Sequence, residues 1–224
     1  LGLQINLLVL GDRAVHEGIT LLEEAIKTNP PRPRRHTLEH ADCVKDFDIP
    51  RIKEVGAVVV MNPIGLYPDM EFQKIVTEQM GEQRKYDCYE PWKKLVDAGV
   101  MVVMGSDFPL APMDPLIGMH ILVNGTDING KPEGGLYPHK QLTIEEALRT
   151  YTTNAAYAAF EENRLGMLKE GYAADFAMLS DDILAPDFKK ENLWKVKVVL
   201  TVFNGHVLHE DFSNKEKEIG FAGL

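Results

Sequence analysis

The feature that most constrains this chain is an alternation of short apolar runs with amphipathic, helix-length stretches through its first two-thirds. Residues 3–10 read as a buried strand, Gly11-Asp12 as a turn, and residues 13–28 as a helix carrying Val15, Ile19, Leu22, Ala25 and Ile26 on one face. Pro30, Pro31 and Pro33 stop that helix, because proline lacks the N–H and clashes with the preceding turn. Residues 36–40 form a second strand, 48–55 a short helix ended by Gly56, and 57–61 a third strand. Residues 70–79 and 92–98 read as helices, and 100–104 as a fourth strand. Strands separated by helices pair in parallel through right-handed crossovers, so the fold class is α/β. Four such units are half of a (β/α)8 barrel, which takes about 250 residues. Half a barrel leaves two open strand edges. With Leu1 rather than Met at its start, the sequence is therefore expected to be the second half of a longer polypeptide.

After Pro109 the pattern changes. Residues 111–141 are rich in Pro, Gly and Asn and read as a long loop over the strand ends, with a short helix at 116–123. Thr143-Ile-Glu-Glu146 is a capping box that opens a helix running to Tyr151, and residues 154–162 are a further helix. Two β-rich pieces follow, 174–179 and 195–204, the second turning at Asn204-Gly205 into Val207-Leu208, a hairpin signal. The expected division is 1–165 for the barrel half and 166–224 for a small β-rich unit.

Acidic residues outnumber basic ones, 34 to 24, for a net charge of −10, and no basic stripe occurs beyond the short cluster Arg32, Arg34 and Arg35. Nucleic acid and membrane are therefore not expected partners; a small-molecule substrate is, and oligomeric state is left open. No apolar stretch approaches the roughly 18 residues that span a bilayer. Two cysteines, Cys43 and Cys88, are too few for a disulfide framework, which makes a reducing cytoplasm the default expectation.

The chemistry-bearing positions lie where strands end. Asp107 closes the run 99–107, in which an apolar strand breaks into Gly105-Ser106 ahead of Phe108-Pro109. His40 closes 36–40 in the same way. Side chains there emerge at the C-terminal rim of a parallel barrel, the face that carries its chemistry. Counting strand alternation back from His40 places Leu38 and His36 on its face and turns Glu39 away from the barrel interior. Asp12 is expected to cap the first helix. His120 and His139 read as solvated loop histidines and Trp92 as helix packing. Asp175 reads as a turn residue, and His16, His206 and His209 are assigned no chemistry.

The segments Gly11-Asp-Arg-Ala-Val15, Leu38-Glu-His-Ala41, Gly105-Ser-Asp-Phe-Pro109, 142–148, 151–157 and 166–176 together resemble the amidohydrolase superfamily, within it the amidohydrolase-3 or YtcJ-like branch. The resemblance implies a metal-dependent (β/α)8 barrel with a small β-sandwich built from both chain termini. It implies hydrolysis of a non-peptide C–N bond (amide, formamide or N-acyl) by water activated on one or two divalent metals, with zinc the expected ion. In that family a His-x-His pair follows the first strand, single histidines follow the fifth and sixth, and an Asp follows the eighth. His40 then matches the sixth-strand ligand, and Asp107 the eighth-strand Asp, as metal ligand and catalytic base. Leu8 stands where the fifth-strand histidine belongs, and Gly65 where many relatives carry a histidine near substrate. Leu8 keeps alive the alternative of a non-catalytic remnant, or pseudoenzyme, acting as a binding module. A related barrel hydrolase of esters or phosphoesters is the third reading.

Overall fold

A computed structural model describes residues 2–63 and 69–212. Four parallel strands, β1 (Asn6–Val9), β2 (Thr37–His40), β3 (Val58–Met61) and β4 (Met101–Met104), stand in chain order in one sheet. The chain is thus α/β with a parallel sheet, as its alternation requires. The connections are α1 (Asp12–Lys27), α2 (Ile49–Glu54) and, between β3 and β4, α3 (Met70–Met80), α4 (Glu82–Cys88) and α5 (Trp92–Asp97). Helix α4 is absent from the sequence expectation: it is a single polar stretch whose only buried residues are Lys85 and Cys88, so it carries no apolar period to read.

Among the described residues, helices pack on the sheet face that carries Leu38, Val59 and Val102. Leu38, Val59 and Val102 align across β2, β3 and β4 and are fully buried there. Gly18 of α1 lets the helix come close to that face: a Cβ on it would lie 3.2 Å from Val9 Cγ1 and 3.6 Å from Leu38 Cδ2. Trp92 and Leu95 of α5 join the same core, and Gly99, at φ 74, is the left-handed residue that ends α5 and releases the chain into β4. The opposite face holds the aligned row Leu8, Glu39, Val60 and Val103, with Leu8 68% exposed. Glu39 is therefore on the open face and Leu38 against the helices, the reverse of the sequence expectation. The parity count fails because it starts from His40, whose backbone has left the strand conformation (φ 69).

Beyond β4 come α6 (Pro115–Asn124), α7 (Ile144–Tyr151) and α8 (Thr153–Ala158). The capping box forms as read: Thr143 Oγ1 accepts from the Glu146 N–H, and Glu146 accepts from the Thr143 N–H. Asn154 at the start of α8 donates to the Val102 carbonyl at 2.8 Å, tying this helix to β4. At the other end of the sheet Arg35 lies 3.7 Å from the Tyr157 ring centroid and grips Glu162 with both guanidinium nitrogens, at 2.7 and 2.5 Å. The last elements, β5 (Phe176–Leu179), β6 (Val198–Phe203) and β7 (His206–Glu210), make a three-stranded antiparallel sheet, with the β6–β7 hairpin turning at Asn204-Gly205 as its sequence required. Asp175 accepts from the Asn204 N–H at 2.6 Å, the turn role expected of it.

The cysteines correct the sequence reading. Cys43 and Cys88 form a disulfide that joins the segment after β2 to the end of α4, across 45 residues of sequence. Both are nearly inaccessible. Disulfides persist in oxidising compartments, so this pairing weighs against the default of a reducing cytoplasm. Among the described residues, no helix is long and apolar enough to cross a membrane.

Candidate functional site

His40 and Asp107 meet at the C-terminal end of the parallel sheet. His40 Nε2 lies 4.0 Å from Asp107 Oδ2, although 67 residues of fold separate them in sequence. Each owes its position to backbone that non-glycine residues seldom adopt: φ is 69 at His40, 46 at Ala41 and 55 at Asp107. Left-handed backbone at non-glycine residues costs about 1–3 kcal/mol each and tends to persist where function holds it. At His40 it takes the imidazole out of the strand's alternation and toward the rim. Asn62, just past β3, stands beside them, its Nδ2 3.4 Å from His40 Nδ1. The Gly105 N–H donates to the Met61 carbonyl at 2.9 Å, which locks the end of β4 against the end of β3 two residues before Asp107.

An imidazole nitrogen and a carboxylate oxygen this close are the right kinds of donor for a divalent metal, but they are two, where a catalytic zinc takes about three protein ligands. Among the described residues, no group of three or more His, Cys, Asp or Glu is arranged to hold an ion. The pair therefore fits a metal in chemistry and falls short in number. Leu8 projects from the open face of β1 and brings no donor. Gly65 lies outside the described residues.

Behind the rim is a group of buried ionisable residues that sequence reasoning missed. Asp42, two residues past His40, has its carboxyl pushed up to about 6 by burial, with His40 opposing in part. Glu90 lies across from it, its N–H donating to the Asp42 carbonyl at 2.6 Å. The Glu90 side chain is buried and its Oε2 has no hydrogen-bond partner. Burial, then the neighbouring Asp42, raise its pKa well above the carboxylate range, against the pull of Lys140 and Lys85. Lys140 is lowered to about 8 by burial and spans to the Tyr89 carbonyl at 2.5 Å. The only sequence signal was weak: an acid directly before Pro91 and a helix start.

Asp42 makes a pH prediction whose sign follows from the direction of its shift. Its folded value, about 6, exceeds its unfolded value of 3.8, so between them the folded chain keeps a proton that the unfolded chain has lost. Its contribution is whole below about pH 4 and is lost as pH rises through about 6. The substitution Asp42→Asn is expected to remove that decline, an effect of order 1–3 kcal/mol. Urea unfolding at pH 4, 5 and 6.5 reads it; parallel stability profiles for the two proteins would reject the assignment.

The other candidates lie elsewhere. His120 is not in a solvated loop: it sits inside α6, 2% exposed, with Nε2 3.0 Å from the Asp127 carbonyl oxygen and Nδ1 3.1 Å from Asn124 Nδ2. The solvated reading fails because the helix expected at 116–123 is almost wholly apolar and buried, His120 with it. His139 packs between Tyr86 and Tyr137, and burial lowers its pKa. His36 is buried and its Nδ1 accepts from the Ile5 N–H at 3.0 Å, a packing role. Asp12 does not cap α1. Gly11 holds the N-cap position, while Asp12 pairs with Arg84 and, at 3.4 Å, Lys45. Trp92 is buried, and its indole donates to the Lys140 carbonyl at 2.5 Å.

Comparison with known proteins bears on what this rim does. The profile of the amidohydrolase family matches residues 1–209. YtcJ of Bacillus subtilis is 29% identical over 210 residues, 93% of this chain and 38% of its own length. The N-substituted formamide deformylase of Arthrobacter pascens is 29% identical over 173 residues, 77% of this chain and 30% of the enzyme. Among solved structures, an uncharacterized metal-dependent hydrolase from Pyrococcus furiosus superposes with a TM-score of 0.61 at 25% identity, covering 77% of this chain and 32% of that one. The chain thus spans between 30% and 38% of these relatives' lengths.

Proposed function

The chain belongs to the amidohydrolase family, and from that premise we propose that it is the C-terminal half of a metal-dependent hydrolase of non-peptide C–N bonds of amide, formamide or N-acyl type. The observation that carries the reading is the convergence of His40 and Asp107, 4.0 Å apart at the C-terminal rim of parallel strands. The two-donor count and the uncovered sheet face both favour a partner half, with residues 1–165 completing a (β/α)8 barrel and 166–224 contributing to a small β-sandwich. Substrate is a small molecule; neither nucleic acid nor membrane is expected to bind an acidic chain of this kind. The Cys43–Cys88 bond favours an oxidising compartment over the cytoplasm.

In this reading His40 and Asp107 hold a divalent metal, zinc foremost, together with ligands from outside these 224 residues. When bound, such an ion lowers the pKa of water and polarises the scissile carbonyl. Asp107, whose side chain is 43% exposed, is open to the site, and its Oδ2 takes the proton from the attacking water and passes it to the departing nitrogen. His40 holds its ring toward Asp107, with Nε2 4.0 Å from Oδ2. Metal content of the full-length protein, with and without His40→Ala, tests the assignment. A clear loss of metal is expected, and equal metal in both would remove His40 from the site.

Leu8 favours a second reading. An exposed leucine in place of a ligand on the open face is what a non-catalytic binding module would carry. Stoichiometric metal in the full-length protein separates the two, since the module needs none.

A further inference from the structure

Three segments at the rim are tied together around Asp12. The Ala41 N–H donates to the Val9 carbonyl at 2.8 Å and the Cys43 N–H to the Leu10 carbonyl at 3.2 Å, so the chain leaving β2 runs beside the chain leaving β1. The Cys43–Cys88 bond, with the Val44 N–H donating to the Cys88 carbonyl at 3.0 Å, holds the end of α4 against the same segment. Lys45 and Arg84 are thereby delivered to one carboxylate. Arg84 pairs with Asp12 Oδ1, and Lys45 Nζ lies 3.4 Å from Asp12 Oδ2.

Charge does not balance there. Two cations share one acid, which also accepts from the Arg13 N–H at 3.0 Å. Other acids nearby in sequence are engaged elsewhere, Glu17 by Arg13 and Asp46 by Lys94, both at 2.8 Å. Among the described residues, Asp12 is the one acid within ion-pair reach of Arg84 or Lys45, and both cations have donors to spare beyond it. Their side chains are reachable, 44% exposed at Arg84 and 39% at Lys45, over an Asp12 that is 19% exposed. The chain leaving β4 has the opposite character: between Asp107 and Asp114 it carries no charge, and Phe108, Leu110 and Met113 stand exposed.

We infer that Arg84 and Lys45 form a subsite for a carboxylate on the substrate, with Asp12 as the positioning residue that holds the two heads together. The subsite serves the reaction assigned to the His40–Asp107 rim and so rests on the proposed function. It narrows the substrate to an amide with an anionic group toward the β1 side and an apolar group toward the β4 side. Hydrogen bonds between ions of this kind are about twice as strong as those between neutral groups, and a positive patch on a chain of net charge −10 also draws the anion to the rim.

N-hexanoylglycine and N-isobutylhexanamide, in which an isopropyl group replaces the carboxylate, test the subsite on the full-length protein. Binding is read by titration calorimetry and turnover by release of hexanoate. The parent is expected to bind the anion more tightly than the neutral amide, by about 10-fold or more. Arg84→Gln and Lys45→Gln are each expected to weaken the anion by about 10-fold and to leave the neutral amide within about twofold. Arg84→Lys, which keeps the charge, should retain most of the preference, and added salt should erode it. Lys45→Gln carries the test if Arg84→Gln fails to fold. Equal affinity for the two ligands in the parent, or an equal loss for both in the variants, would overturn the inference, the latter by showing a structural role alone. If neither amide is hydrolysed while the preference and its loss in Arg84→Gln persist, the hydrolase reading fails and the subsite stands. If both are hydrolysed with the same kcat/KM, the hydrolase reading stands and the subsite falls.

Discussion

On the proposed function, Asp107→Asn is expected to lower kcat/KM for C–N hydrolysis by about 10³-fold, or about 4 kcal/mol of barrier. The substitution keeps the shape of the side chain and removes its negative charge and its ability to take a proton. Two outcomes support the assignment and divide its parts. If rate falls and metal stays, the carboxylate serves chiefly to move the proton; if both fall, it serves first as a ligand. The left-handed backbone at φ 55 brings Asp107 to the rim beside His40, where the proposed role needs it. A variant within about threefold of the parent rate, on any substrate the parent turns over, would remove Asp107 from the chemistry.

The second large effect is in stability. Removing the Cys43–Cys88 bond, by Cys43→Ser with Cys88→Ser or by a dithiol reductant acting on the unfolding protein, is expected to cost about 4 kcal/mol. That figure is the chain entropy regained when a loop of about this length, its ends 45 positions apart in sequence, is freed. The bond also bears on the site, since it anchors the segment directly after His40, Ala41 and Asp42, and an antiparallel bridge between Cys43 and Tyr89 runs beside it. Urea unfolding with and without reductant measures the cost, and a thiol count on denatured protein should find none free. Two free thiols, or an unchanged unfolding midpoint after reduction, would show that the packing of these loops does not depend on the bond.

These two expectations differ in how far they are legible in the sequence. Asp107 is visible because a strand that breaks into Gly-Ser-Asp ahead of a proline announces a rim position by local chemistry alone. The cysteine pair is not, since nothing between residues 43 and 88 says that the loop after β2 lies against the end of α4. His40 is half legible: its position at a strand end can be read directly. Its orientation cannot, and Glu39 falls on the wrong face as a result, because alternation stops where the backbone turns left-handed. Asn62, Asp42, Glu90 and Lys140 leave almost no trace, since each acts through neighbours distant in sequence.

What the sequence determined by itself was the place of most elements: the four strands, though the first was read longer and more buried than Asn6–Val9 is, α1 with its apolar stripe, the Thr143 capping box and the Asn204-Gly205 turn. All of these rest on interactions within a few residues of chain, where periodicity and capping are set. Only the tertiary structure decided which side chains meet. The contact between His40 and Asp107, the burial of Glu90 and the union of Cys43 with Cys88 depend on strand register and on left-handed turns. Those are fixed by helices packing on one sheet face, an interaction between segments that no local pattern records.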